Sequence, residues 1–279
     1  MMDPAEQARL KLDQAPLDFR LANTFTPADR RPALTALMAV YLEIREVLVE
    51  CRDPGVAEVK LGWWQQEIET LYAGKPRHPL TQALAPHMAP LAGCQQLFLD
   101  LIAGVRMDIA GSAFASFEDV KRYCYRHSGA LAELCALLLG AHAAETLLAA
   151  RLLGNSYRLA YITTAGPAEA LQGRMYFAAE DLKAHGVDRH VHGDAQDDAP
   201  VRALLEDYAG RVRRMRQEAL AEAAPAEAGS LMPWQVLSGL GVRRVSKLAA
   251  SGFKPGVQPV ELHPLGALIT AWRAARKKT

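Results

Sequence analysis

An all-α fold is predicted by three features of this chain. Apolar residues recur at helical spacing through long segments, and glycine and proline punctuate the gaps between them. No run alternates apolar and polar residues as a half-buried strand would. With no fixed-period repeat either, the expectation is one packed helical domain over residues 1–279.

Each predicted element has its own local reason. Pro32 to Glu50 is rich in apolar residues and stops before the breaker Asp53-Pro54-Gly55. Val56 to Tyr72 follows and is closed by Ala73-Gly-Lys-Pro76. Thr81 to Ala89 is short because Pro90 limits it, and Leu91 to Ala110 then runs to Gly111. Ser116-Phe-Glu-Asp119 has the form of a capping box with Asp at its last position, so a helix is predicted from there to Leu139, before Gly140. Ala144 to Thr163 is the next helix, with Gly166-Pro167 as its predicted stop. Val201 to Ala223 is amphipathic, and Leu231 to Ser251 and Leu265 to Lys278 close the chain.

Composition removes several classes of function. Half of the 279 residues are hydrophobic, enough for a sizeable core, and the net charge of +1 gives no basic field suited to nucleic acid. No apolar run approaches the roughly 20 residues of a membrane span. The start, Met1-Met-Asp-Pro-Ala-Glu-Gln, lacks the order of a signal peptide, so a cytoplasmic protein is expected. Cys51, Cys94, Cys124 and Cys135 form no Cys-x-x-Cys pair and read as reduced structural thiols.

Several other side chains invite a functional reading. His185, His190 and His192 with Asp188 and Asp194 could ligate a metal, but the Gly- and Asp-rich composition of their loop favours solvated surface, and no metal is expected there. Trp63-Trp64 suits core packing more than a tunnel wall. The stripe Arg211, Arg213, Arg214 and Arg216 reads as a solvated face. The end Trp272-Arg-Ala-Ala-Arg-Lys-Lys-Thr279 is basic and suited to a weak peripheral contact at the inner face of a membrane.

A set of segments then fixes a resemblance. Leu61-Gly-Trp-Trp-Gln-Gln-Glu-Ile-Glu-Thr-Leu-Tyr-Ala-Gly-Lys-Pro-Arg-His-Pro-Leu80 follows the pattern L-x-W-W-R-x-E-L-x-x-x-Y-x-G-x-P-x-H-P. Leu99 to Ile109 follows L-I-x-G-M-x-M-D-L, Phe117 to Gly129 follows F-x-D-L-x-x-Y-C-Y-x-V-A-G, and Ala179-Glu-Asp-Leu182 with Gly186-Val187 follows A-E-D-L-x-x-F-G-V. Leu153-Gly154 through Gly173-Arg174-Met-Tyr176 keeps the frame of a further motif without a gap. In this order and spacing the segments resemble the squalene/phytoene synthase family of head-to-head prenyltransferases. The resemblance implies the isoprenoid synthase fold, a single antiparallel helix bundle around a central cavity. It also implies a magnesium cluster that stabilises a departing diphosphate.

The acids of that chemistry are missing from the matched positions. The family's first aspartate-rich segment falls on Leu34 to Glu50, where its two outer aspartates become Arg45 and Val49, with Glu46 and Glu50 beside them. Residues four apart share a helix face, which is how two such carboxylates would grip one cluster. In the second segment the aspartate falls on Ala165, the next acidic position on Glu169, the family's Asn on Tyr161 and its Gln on Arg158. The four ligand positions Arg45, Val49, Ala165 and Glu169 sum to roughly zero charge, where four aspartates would carry about four negatives. The family's Ser-Phe falls on Asp18-Phe19, a carboxylate that would oppose a diphosphate.

Tyr41, Arg158, Glu169, Arg174 and Tyr176 are expected to face the former reaction cavity. Arg45 is expected to pair with Glu169 or Glu46 and plug the vacated metal site, in preference to joining Arg158 in a bidentate grip on phosphate. The resemblance therefore implies a catalytically degenerate relative without a cofactor, binding a protein partner or an isoprenoid lipid. The family has such a branch in a mitochondrial complex I assembly factor. The alternative is an active magnesium-dependent enzyme acting on farnesyl or geranylgeranyl diphosphate, with Glu46, Glu50 and Glu169 as surrogate ligands.

Overall fold

Helices begin almost at the N-terminus of this computed structural model, which describes residues 2–111, 113–171, 173–187, 199–254 and 258–276. Helices α1 (Pro4–Asp13) and α2 (Leu17–Phe25) precede the first helix that the apolar pattern predicts. Each opens on or beside a proline, whose fixed φ suits a first helical turn. Helix α3 (Arg31–Glu50) and α4 (Pro54–Tyr72) follow close to their predicted bounds, with the Asp53 side chain accepting from the Val56 amide to cap α4. Helix α5 (Pro79–Leu84) is shorter than expected, and two single 3₁₀ turns lead from it to α6 (Gln95–Ile109).

The capping box forms as expected at α7 (Phe117–Cys124): Ser116 accepts from the Asp119 amide, and Asp119 accepts from the Ser116 amide. The long helix predicted to Leu139 does not run as one regular α-helix. A wider π-turn, Tyr125–Gly129, separates α7 from α8 (Ala130–Leu138). Backbone contacts from two other helices meet this turn. A Cβ on Gly104 of α6 would stand 2.8 Å from the Arg126 carbonyl oxygen. A Cβ on Gly154 would stand 2.5 Å from the Ser128 carbonyl oxygen. Only glycine permits that approach, and the extra residue of a π-turn is the local adjustment found with it.

Helix α9 (Ala144–Ala170) corrects the predicted stop at Gly166-Pro167, because it continues through the proline. Pro167 forfeits one backbone hydrogen bond, but Ala168 beyond it is buried, and the Arg174 amide still donates to the Glu169 carbonyl. A short helix α10 (Ala179–His185), not predicted as an element, ends at Gly186 in the left-handed region. Helices α11 (Ala199–Glu222), α12 (Met232–Ala250) and α13 (Pro264–Arg276) complete the chain. No strand occurs among the described residues.

Helix α9 is the axis of the molecule, packing most extensively on α11 and α12 and also on α7, α8 and the π-turn. Two apolar clusters flank its polar middle. One gathers α1 to α6, α8, the start of α9 and α13; the other gathers α7, α10, α11 and the second half of α9. Cys124 and Cys135 are buried free thiols, and Cys51 and Cys94 are half-buried, in line with the structural reading. Trp64 is buried as expected, while Trp63 lies partly at the surface against it.

The basic stripe on α11 is not a free solvated face. Arg211 donates to both Asp181 oxygens at 2.8 Å and to Asp207, and stacks 4.1 Å from the Phe117 ring centre. Arg216 is half-buried, and desolvation holds its pKa below the usual arginine value. Of the expected loop histidines, His185 lies 3.6 Å from Asp207. His190, His192, Asp188 and Asp194 lie outside the described residues.

Candidate functional site

The polar layer crossed by α9 centres on Arg158, whose side chain is almost fully buried. Arg158 and Tyr161, three residues apart on α9, share a face, and the guanidinium stacks 4.6 Å from the Tyr161 ring centre. Tyr123 of α7 and Tyr176, from the segment after α9, close the cage with ring centres 5.0 and 5.4 Å away. Arg158 donates a hydrogen bond to the Tyr123 oxygen. The Tyr123 hydroxyl in turn donates to Asp108 Oδ1 at 2.6 Å, and Tyr176 donates to the same oxygen at 2.9 Å. Asp108, in the last turn of α6, is the carboxylate that balances Arg158, at 3.9 Å.

Burial keeps these tyrosines neutral and therefore donors. It pushes the Tyr123 hydroxyl well above its ordinary value and that of Tyr176 up to about 12. Burial disfavours the charged form of Arg158, but Tyr123 and Asp108 outweigh it and its pKa is raised. His127 of the π-turn stands where the family pattern has valine. Its Nδ1 is 3.0 Å from Ser128 Oγ and 3.3 Å from the Tyr41 hydroxyl. Desolvation, then the charges of Arg158 and Arg45, push its pKa well below the usual histidine value, so the imidazole is neutral.

Arg45 reaches this layer from α3, with its guanidinium 5.9 Å from the Tyr41 ring centre. It does not make the expected plug. Glu46 accepts from Lys11, and Glu169 accepts from the Tyr161 hydroxyl at 2.6 Å and from Arg174 at 3.4 Å. Arg45 Nε is buried without a hydrogen-bond partner among the described residues. Arg158 Nε and Asp108 Oδ2 share that condition. Burial and Arg158 oppose the charge on Arg45, but Tyr41 and Asp108 favour it, and its pKa remains raised.

A cavity of about 630 Å³ opens on this layer, lined by Val49, Arg52, Asp108, Ile109 and Arg174 among others. Val49 sits at its rim, 80% exposed, and Ala165 is fully buried on α9. The expected residues Tyr41, Arg45, Arg158 and Tyr176 are thus drawn into one layer, with Glu169 and Arg174 at its edge. Asp18 has partners of its own. It accepts two hydrogen bonds from Arg244 at 2.6 and 2.8 Å and one from Tyr157 at 3.0 Å, so its charge is already neutralised. Glu50 points away to Lys60 at 3.1 Å. Asp108 and His127, which organise the layer, belong to matched motif segments, but nothing in their spacing marked them as a charge centre.

The donor set does not fit the magnesium cluster that the resemblance implies. Magnesium takes oxygen ligands in near-octahedral geometry, usually carboxylates, waters and substrate phosphates. The four matched positions offer one carboxylate, Glu169, already engaged by Tyr161 and Arg174. Arg45 and Arg158 bring two cations into the same buried layer. No group of three or more His, Cys, Asp or Glu side chains suited to a metal occurs among the described residues.

Comparison with known proteins converges on one group. The family model described as squalene/phytoene synthase matches residues 13–266. Phytoene synthase 3 of Zea mays is 26% identical over 228 residues, covering 80% of this chain and 53% of that protein. The 15-cis-phytoene synthase of a Synechocystis strain is 26% identical over 211 residues, covering 69% of this chain and 60% of that protein. This chain spans about half the length of the maize and carrot (Daucus carota) phytoene synthases it matches. Among solved structures, squalene synthase HpnC from Alicyclobacillus acidocaldarius superposes with a TM-score of 0.80 at 18% identity, covering 91% of this chain and 95% of its own. A dehydrosqualene synthase in complex with ligand superposes with a TM-score of 0.79 at 16% identity, covering 98% of both chains. The expected isoprenoid synthase fold is the fold observed.

Proposed function

Since this chain belongs to the squalene/phytoene synthase family, we propose that it is a catalytically degenerate member. In this reading it keeps the helical fold as a binding module and lacks metal-dependent head-to-head condensation. One observation carries the proposal: Arg45, Val49 and Ala165 supply no ligand oxygen at the matched positions, and the remaining Glu169 is held by Tyr161 and Arg174. The surrogate acids of the alternative reading are committed elsewhere, Glu46 to Lys11 and Glu50 to Lys60.

The favoured occupant is an isoprenoid lipid with an anionic head, held without magnesium. The cavity volume lies in the usual range for small-molecule sites, and its lining mixes Leu48, Val49 and Ile109 with Arg52, Arg174 and Asp108, whose charge Arg158 balances. A guanidinium can hold a phosphate or carboxylate through paired hydrogen bonds without a bridging metal. A protein partner is the second reading, supported by the exposed Val56, Val59 and Trp63 on α4.

The test is incubation of the purified chain with farnesyl and with geranylgeranyl diphosphate and magnesium, followed by product analysis. No squalene or phytoene is expected, and product formation that EDTA abolishes would overturn the proposal. Native mass spectrometry after mild purification is expected to show a co-purifying prenyl lipid. A protein that is empty and ignores added prenyl lipid would leave the partner-binding reading in its place. The combined variant Arg45→Asp, Val49→Asp, Ala165→Asp and Glu169→Asp is expected to bind magnesium by calorimetry where the parent chain does not.

A further inference from the structure

Helix α13 wears its residues inside out. Its buried positions are the small residues Ala267, Ala271 and Ala274, in a helix that packs on α12 and α2. The approach is close: a Cβ on Gly239 of α12 would lie 3.4 Å from that of Ala274. The large apolar residues Leu265, Leu268, Ile269 and Trp272 face outward, each between 42% and 60% exposed. Their spacing of i, i+3, i+4 and i+7 makes one continuous stripe. Single exposed apolar side chains are ordinary on soluble proteins. Four on one face of a helix, opposite its alanines, reverse the amphipathic pattern that drives a helix onto its own core.

Charge identifies the occupant. Helix α13 contains no acidic residue and carries Arg273 and Arg276 in its last turn, with the Arg276 guanidinium 4.4 Å from the Trp272 ring centre. The sequence continues with Lys277 and Lys278. We propose that α13 is a membrane-docking helix. It lies in the plane of an anionic bilayer surface, with Leu265, Leu268, Ile269 and Trp272 among the acyl chains and Arg273 and Arg276 at the lipid phosphates. Its 13 residues measure about 20 Å, too short to span. No helix among the described residues is long and apolar enough to cross a membrane. A second copy is the poorer occupant, because a four-residue stripe falls well short of the roughly 800 Å² per partner of a stable dimer. Insertion into a bilayer scales with apolar area and needs no such minimum.

The test is flotation of the full chain with vesicles of phosphatidylcholine alone or mixed with phosphatidylglycerol. The chain is expected to float with the mixed vesicles and to be released as salt rises. Leu268→Asp with Trp272→Asp is expected to reduce the bound fraction by about tenfold or more. Arg273→Glu with Arg276→Glu is expected to remove the preference for anionic lipid. Leu148→Asp, at an exposed leucine of α9, is expected to bind as the parent does. Urea midpoints verify that each variant is folded, and Trp272→Ser alone provides the same reading if the double variant is not. A parent chain that stays unbound with both lipids would overturn the proposal, as would an α13 variant that floats like the parent. So would a dimer in sedimentation analysis that Leu268→Asp with Trp272→Asp dissociates, which would assign the stripe to a second copy.

Discussion

Asp108→Asn tests the electrostatic reading of the polar layer most directly. Asparagine has nearly the same shape, and its oxygen can still accept from Tyr123 and Tyr176, which stand 2.6 and 2.9 Å from the carboxylate. The loss is therefore mainly that of charge. Arg158 lies 3.9 Å from that carboxylate, and unit charges at this separation attract by about 4 kcal/mol at an effective dielectric of about 20. Orphaning one member of a buried pair costs about 3–5 kcal/mol. The three tyrosine rings within 5.4 Å of the guanidinium soften this, because cation–π contacts contribute about 1–2 kcal/mol when desolvated. The expected destabilisation is about 3 kcal/mol in urea unfolding. Adding Arg158→Met removes the orphaned cation, so the double variant should be more stable than the sum of the two single losses by about 2 kcal/mol. Additivity within about 0.5 kcal/mol would refute the pairing.

Three further outcomes follow from the same geometry. The folded-state pKa of His127 lies well below 6.5, so between those values the unfolded chain binds a proton that the fold refuses. Stability should therefore fall with pH below 6.5 by about 1.4 kcal/mol per pH unit, and urea midpoints of His127→Asn at pH 7 and pH 5 should lack this component. Gly154→Ala would place a Cβ 2.5 Å from the Ser128 carbonyl oxygen and 2.8 Å from the Gly129 Cα, both backbone. It should cost about 3 kcal/mol in thermal or urea unfolding despite the better helix propensity of alanine. Asp18→Asn leaves Arg244 without its carboxylate, and a loss of about 3 kcal/mol is expected, with Asp18→Asn and Arg244→Met coupled in a double-mutant cycle.

The sequence made local features legible and left tertiary ones hidden. The capping box at Ser116 and Asp119 needs only two side chains and their own backbone, so it could be read directly. Gly166-Pro167 was misread as a stop because the rule for proline is local. What carries α9 onward is the burial of Ala168, which depends on other elements. The π-turn is set by Gly104 and Gly154, from helices on either side of it in the chain. Asp18 marks the position matched to the family's Ser-Phe, but its partner Arg244 lies 226 residues away and no spacing rule connects them. Arg45, Val49 and Ala165 were found by motif position, but the partners of Arg45 could not be, because Glu46 is taken by Lys11 of α1, an element the apolar pattern did not show.

In the proposed reading the residues at the matched positions do more than omit ligands, because they would also change the sign of the field that a ligand meets. Two facing carboxylate pairs would form a negative slot that mobile divalent ions neutralise. In this chain the corresponding helices bring guanidinium groups that are covalently fixed, Arg45 from α3 and Arg158 from α9. Their repulsion is eased by Asp108 and by the faces of Tyr41, Tyr123, Tyr161 and Tyr176. His127 is held neutral chiefly by desolvation, and the charges of Arg158 and Arg45 act in the same direction. An anion at the cavity would meet Arg52 and Arg174 in the lining, together with the Asp108 carboxylate that Arg158 balances. In the proposed reading, Arg45 and Arg158 would oppose a divalent cluster and favour an anion, so one pair of residues accounts for both halves of the proposal.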